Sequence, residues 1–216
     1  MTDPAKNIEV SQSVGEKLRA RRKALKIPLR EVADGTGLSI GFISQVERGV
    51  SEPSLTSLRA IAKVLGVSVS DIMPEVGPAP EATRSLSRPR HQLRPDEGMA
   101  HAYERITTTF PGSKLTGVLI HEPPGARVEP QSHEGEEMFY ILQGSLTVEL
   151  DGRPIVLSQG DTLHFSSRRK HATWNHTVKP AVILHVCTMD VFGDQISGDV
   201  PGVYAGHETA TKDTKS

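Results

Sequence analysis

Two rhythms divide the chain. From Val14 to Leu65 apolar side chains return every three or four residues, the period of helices that bury one face. Beyond about residue 99 they alternate in short runs broken by Gly, Pro and Asp-Gly, which predicts strands joined by tight turns. Ser13 and Glu16 have the spacing of a capping box ahead of Val14, Leu18 and Leu25, and so predict a first helix. Arg19, Arg21, Arg22, Lys23 and Lys26 are expected around its outer face. Pro28 suits the first position of a second helix, which carries Leu29, Val32 and Ala33 and is stopped by Gly35 and Gly37. Ser39 can cap a third helix, IGFISQVERG, with Ile43 and Val46 facing inward. A fourth runs through Leu58, Ile61, Ala62 and Leu65 to Gly66, and SDIM makes a last turn.

The stretch PEVGPAPEATRSLSRPR, residues 74–90, has no apolar periodicity and reads as a linker. In LTVELDGRPIVL, Leu146, Val148 and Leu150 alternate with Thr147 and Glu149, and Asp151-Gly152 supplies the positive φ angles of a tight hairpin. A second turn stands at Gly160-Asp161, before TLHF. Many short strands of this kind predict a sandwich or barrel. The expected organisation is an all-α domain at 12–73, a linker at 74–98, an all-β domain at 99–192 and a flexible tail at 193–216. Within the tail, Val203 and Tyr204 are the residues able to dock on the barrel.

Charge sharpens the division. Residues 12–73 hold ten Lys/Arg against six Asp/Glu, whereas 99–192 hold eight against ten. The basic half is therefore the candidate for a polyanionic partner. Cys187 is the only cysteine, which excludes an intramolecular disulfide and a cysteine-based zinc cluster. It lies in the apolar run AVILHVC, where a buried, inert thiol is expected. The start is polar and no apolar stretch has bilayer length, so a cytoplasmic protein is the expectation.

Helix, short glycine-containing turn, helix is the geometry that sets a second helix into the major groove of DNA. GEKLRARRKAL, LREVADGTGLSIGFISQVERG and EPSLTSLRAIAKVLGVSVSDI resemble the helix-turn-helix domain of the phage-repressor-like (XRE) regulators, which has about five helices. The resemblance places the groove-facing surface at Ser39, Ile40, Gly41, Phe42, Ser44 and Gln45. Gln45 is the best base reader, because a carboxamide both donates to and accepts from an adenine edge. Ile40 and Phe42 offer only apolar contact to a thymine methyl. Arg30, Ser44, Arg48 and the basic residues of the first helix suit phosphate. The bland alternative for the polar positions is exposed helix surface.

The second half resembles the cupins, small β-barrels of the jelly-roll type. One stretch runs from Gly125 through Gln131, His133 and Glu137 to Gly144, and another from Gly160 and Asp161 through His171 to Asn175. Metal-binding cupins carry a histidine where Gln131 stands, and Ser166 and Arg168 replace a usual proline and glycine. Strand alternation sends Gln131 and His133 to one side, with Glu137 and Phe139 sharing a face and His171 arriving from another strand. Gln131, His133, Glu137 and His171 could hold Zn, Ni, Fe or Mn. Equally, Gln131, His133, Glu137, Phe139 and His171 could line a metal-free pocket for an organic effector. Glu134 and Glu136 read as solvated charges. His121, His164 and His185 lie in strand-like runs and could face the pocket, although a satisfied structural histidine is the more common outcome. Tyr140 and Trp174 have parities opposite to Glu137 and His171, which favours packing against another sheet or subunit. Arg168-Arg169-Lys170 reads as an exposed loop.

Together these resemblances imply a DNA-binding transcriptional regulator, with a repressor favoured by family habit, whose barrel senses a small metabolite. Partners would be double-stranded DNA with two half-sites about 34 Å or a multiple apart, a small-molecule effector, and a second copy in a homodimer; no membrane is implied. Relatives of this architecture answer to polyamines, amino acids and other metabolites. Two alternatives stand beside this reading: a metal-dependent cupin enzyme localised by its helical domain, and a helical domain that binds protein.

Overall fold

The computed structural model describes residues 13–73, 80–92 and 101–195. Readings that fall elsewhere, including the docking of Val203 and Tyr204, lie outside the described residues.

Five helices form as the periodicity predicts: α1 (Val14–Ala24), α2 (Leu29–Thr36), α3 (Ile40–Glu47), α4 (Leu55–Val64) and α5 (Val69–Ile72). At the start of α1 the Ser13 hydroxyl accepts from the Glu16 amide while the Glu16 carboxylate accepts from the Ser13 amide, so the capping box is closed. Two expectations at α2 need correction. Pro28 occupies the N-cap, not the first helical position: its ring fixes φ at −72°, but ψ stays extended at 154°. Gly35 does not stop the helix, which runs on to Thr36 and ends at the left-handed Gly37. A Cβ on Gly35 would come within 2.9 Å of the Val64 side chain, so glycine there permits the close crossing of α2 and α4.

Arg22 is also not on an outer face. It sits between α1 and α3 as a two-pronged partner of the buried Glu47, at 2.6 and 2.7 Å, and donates a third bond to the Ile27 carbonyl. Arg21 donates to the Leu65 carbonyl at the end of α4, and Lys17 to the Ile72 carbonyl at the end of α5. Three of the helix's cations therefore hold helix ends and partner helices together.

Nine strands follow: β1 (His91–Gln92), β2 (Ala102–Arg105), β3 (Thr116–Glu122), β4 (Glu136–Gln143), β5 (Ser145–Leu150), β6 (Arg153–Ser158), β7 (Thr162–Ser166), β8 (His171–Trp174) and β9 (Ala181–Cys187). They make a six-stranded antiparallel sheet, β1-β2-β3-β9-β4-β7, and a three-stranded one, β6-β5-β8. Asp151 and Gly152 both take positive φ in the β5–β6 hairpin, as the turn type demands. Phe139, Ile141, Leu146, Val148, Leu150, Phe165 and Ile183 fill the space between the sheets. Asn175, fully buried, donates to the carbonyls of Glu122, Pro123 and Lys179 and so ties the turn after β8 to the end of β3.

The helical core does not end with the helices. Tyr103, Val118, Cys187, Met189, Val191 and Phe192 belong to the same buried cluster as Leu18, Leu58, Leu65 and Ile72. One part of the large sheet thus packs on the small sheet and another part on the helices, with Ile120 touching both clusters. Polar contacts reinforce the junction. The Ser70 amide donates to the Phe192 carbonyl at 3.2 Å, and Arg59 donates to the Asp190 carbonyl. His101 lies between Glu52, which follows α3, and Glu122 of β3, 2.6 Å from each.

The linker and tail boundaries also differ from expectation. Residues 91–92, placed in the expected linker, pair with β2, and Arg88 meets Glu104 at 2.7 Å, so this part of the linker is held on the sheet. Asp194 is pinned by both guanidinium nitrogens of Arg105, at 2.6 and 3.0 Å, where a fraying tail was expected. Among the described residues, no helix is long and apolar enough to cross a membrane.

Candidate nucleic-acid interface and candidate metal centre

α3 buries Ile43, Val46 and Glu47 and turns its other side to solvent. Ser39, Ile40, Gly41, Gln45 and Arg48 are exposed and Ser44 is half-buried. The Ser39 hydroxyl is engaged as the cap, accepting from the Phe42 amide at 3.1 Å. Phe42 is half-buried against the helical core, which leaves Ile40 as the apolar side chain the helix presents. The Gln45 side-chain oxygen accepts from the Ser51 hydroxyl at 2.8 Å, so its NH2 group is the end offered outward. Arg48 folds back to the Ser44 carbonyl, while Arg30 is almost fully exposed, with only Asp34 nearby at 4.0 Å. The surface is compact, polar and unobstructed, with the backbone behind it fixed by the Arg22–Glu47 pair.

In the barrel, β4 delivers Glu137 and Phe139 to the interior, β8 delivers His171, and the segment before β4 delivers His133. Gln131 and His171 exchange backbone hydrogen bonds as a directly opposed pair, which puts the Gln131 side chain on His171's face of the sheet. β9 adds His185, opposite Phe139 in register. His133 Nε2 lies 2.8 Å from Glu137 Oε1, His171 Nε2 lies 3.5 Å from the same oxygen, and His185 Nε2 lies 3.3 Å from Oε2. Phe139 and Phe165 form an apolar wall, their rings about 5 Å from His185 and His171 respectively.

The second nitrogen of two of these histidines is already engaged. His133 Nδ1 donates to the Glu134 carbonyl at 3.0 Å and His171 Nδ1 to the Arg169 carbonyl at 2.8 Å, arrangements that leave each Nε2 lone pair facing the centre. Burial pushes the Glu137 carboxyl up, but the imidazoles of His133, His171 and His185 outweigh it and hold the group far below the usual carboxylate range. Burial lowers the His171 pKa and Glu137 raises it, with a net rise.

Whether this set suits a divalent cation can be judged from its polar atoms. Nε2 of His133, His171 and His185 and Oε1 of Glu137 are buried, and each lacks a hydrogen-bond partner despite the short separations. They approach one another off the line that a hydrogen bond needs. The donor atoms of His133, Glu137 and His171 all lie within 4.8 Å of one another. Two imidazoles and a carboxylate converging in this way can bind a transition metal.

Sequence reasoning left His185 open and missed Phe165. AVILHVC is apolar on both faces, so its alternation could not say which way His185 points. The other two histidines weighed with it are satisfied elsewhere: His121 by Glu104 at 2.7 Å, and His164 by the exposed Glu136 at 2.8 Å. Tyr140 and Trp174 lie partly exposed, Trp174 beneath the Arg127 guanidinium. Arg168 and Arg169 pair with Glu134 and Asp151 on the surface. Cys187 is buried, and burial followed by the Glu137 charge pushes its thiol up to about 12, so it is unreactive.

Comparison with known proteins matches each half of the chain to a family. A helix-turn-helix family model matches residues 18–72 and a cupin domain model matches residues 118–187. The transcriptional regulator ClgR of Mycobacterium tuberculosis is 35% identical over 111 residues, 51% of this chain and 81% of the relative. The HTH-type transcriptional regulator PuuR of Escherichia coli K12 is 22% identical over 184 residues, 82% of this chain and 96% of the relative. A solved HTH_3 family transcriptional regulator from Vibrio cholerae covers 82% of this chain and is itself covered to 94%, at 24% identity and a TM-score of 0.48. With its helix-turn-helix match and its likeness to ClgR over most of that relative, the chain belongs to the XRE-type helix-turn-helix transcriptional regulators and carries a cupin domain behind its DNA-binding domain.

Proposed function

We propose that this DNA-binding regulator is a sensor rather than an enzyme. Its barrel takes a divalent metal on His133, Glu137 and His171, and the metal, alone or with a small polar effector, controls operator binding. The observation that carries the reading is the set of buried, partnerless nitrogen and oxygen atoms turned toward one point. Each such atom left without a partner is costly, and a cation satisfies them together. When bound, the metal would supply positive charge and open coordination positions for an anionic or chelating ligand. Gln131, on the same face as His171, is an amide at the edge of that site and suits hydrogen bonding to the effector. The names of ClgR and PuuR, both transcriptional regulators, support a regulator over an enzyme.

Gln45 reads a base edge from the exposed side of α3, with Ile40 against a methyl group and Arg30 and Arg48 on phosphate. One such helix offers few base contacts, so specificity comes from a two-fold dimer on a two-part operator. The outer face of the six-stranded sheet suits the dimer contact: Met138, Tyr140, Leu142, Val182, Leu184 and Val186 lie there side by side, none of them fully buried. A regulator of this kind works in the compartment that holds the DNA. Selection from a random-sequence DNA pool, followed by gel shift, tests DNA reading. Gln45→Ala should lose about 1–3 kcal/mol of discrimination between the selected site and a scrambled one. Metal analysis of the purified protein tests the barrel, where near-stoichiometric metal that falls on His133→Ala is expected. Metal-free protein that takes up no Zn, Ni, Fe or Mn on titration would defeat the sensor mechanism.

A further inference from the structure

β9 is one of the strands that touch both halves of the molecule. It pairs with β4 on one side and β3 on the other, and its His185 faces Glu137. Its continuation leaves the sheet and enters the helical core: Met189, Val191 and Phe192 are buried with Leu65, Val69 and Ile72. The exit is tightly held. The Thr116 hydroxyl donates to the Met189 carbonyl at 2.8 Å, and Ser70 and Arg59 donate to the carbonyls of Phe192 and Asp190. The Arg105 guanidinium lies 4.2 Å above the Phe192 ring, and a Cβ on Gly193 would come within 2.9 Å of Ser68.

His185 is not one of the converging ligand atoms. The mutually close group comprises His133, Glu137 and His171. His185 instead faces Oε2 of Glu137, whereas Oε1 faces the other two imidazoles. Its nitrogen is buried and has no hydrogen-bond partner. We propose that His185 is a positioning residue that sets the Glu137 carboxylate, and that β9 carries the occupancy of the barrel from His185 to Phe192, linking it energetically to DNA binding. This rests on the metal reading given above. A metal held by His133, Glu137 and His171 would draw charge from the carboxylate that His185 faces at Oε2, and the hold of the imidazole on Glu137 would change. Paired with β3 and β4 along its length and bonded at its exit, β9 passes that change to residues 188–192 and through them to α4 and α5. Linkage requires only that the two arrangements of β9 bind metal and DNA with different affinity.

The test uses the full chain, Zn2+ alone as the probe, and a DNA fragment that the wild-type protein selects from a random pool. Zn2+ affinity is read by calorimetry, and DNA affinity with and without Zn2+ by fluorescence anisotropy. In the wild type, Zn2+ should change DNA affinity by about fivefold or more. His185→Phe keeps the ring but removes the nitrogen that faces Oε2 of Glu137; it should weaken Zn2+ about tenfold and abolish the DNA response. His185→Gln retains a donor and should recover part of both. Phe192→Leu should leave Zn2+ affinity unchanged while shrinking the DNA response. A wild type that binds no Zn2+ removes the metal reading and this inference together. Zn2+ binding with no DNA response, or with a response unchanged in His185→Phe and Phe192→Leu, removes the inference and leaves the metal reading standing.

Discussion

Arg22 illustrates how a single residue's role depends on a partner far along the chain. Its guanidinium is largely buried, makes two short bonds to Glu47, and joins the first helix to the solvent-facing third one. Removing one member of such a pair strands the other's charge in the interior. Arg22→Ala should therefore cost on the order of 3–5 kcal/mol in urea unfolding. Arg19→Ala, on the exposed side of the same helix, should cost under about 0.5 kcal/mol. Equal effects would mean that the pair is solvated and inconsequential. From sequence, both arginines belong to one basic run, and nothing local separates them. Gln45, His133, Glu137 and His171 were legible because motif and spacing fixed their direction. Arg22 and His185 were not, because the first needed knowledge of Glu47 across a helix crossing and the second sat in a strand apolar on both sides.

At the scale of the element, caps and turns were readable in detail: the Ser13–Glu16 box, the Ser39 cap and the Asp151-Gly152 hairpin each follow from local chemistry. Close crossings were not, since they depend on what lies opposite. Gly15 is the sharpest case. A Cβ there would fall 2.1 Å from the Val46 carbonyl oxygen, a backbone atom that cannot swing aside. Gly15→Ala must push α1 away from α3 and strain the Arg22–Glu47 pair that lies along the same crossing. The expected result is a loss of about 1–3 kcal/mol, the usual range for overpacking. Weaker binding to the selected DNA should accompany it, although Gly15 is buried away from the DNA-facing surface. A variant with wild-type melting and DNA affinity would show that the crossing has slack.

At the scale of the molecule, the Glu52–His101–Glu122 bridge gives the junction a pH dependence. Burial lowers the His101 pKa, but Glu122 and Glu52 outweigh it and raise it from 6.5 to about 10. Tyr103, stacked beside it, is pushed well above its usual value by burial and by the same two carboxylates, and remains neutral. The raised value means that the folded state binds the proton more tightly than the unfolded chain does. The contribution is thus complete below about pH 6.5, fades as pH rises, and is gone above about pH 10. It amounts to a few kcal/mol as an order of magnitude. Comparing chemical unfolding of wild type and His101→Asn should give a gap that is widest near pH 6 and closes toward pH 10. A gap constant across that window would place the histidine outside the linkage. Because Met189, Val191 and Phe192 complete a core begun at Leu18, the helical half and the barrel are not interchangeable parts. Excised at the proline-rich segment, the helical half would meet water with an apolar scar. Any ancestor that swapped barrels had to carry along this short tail of the last strand, or invent a replacement for it.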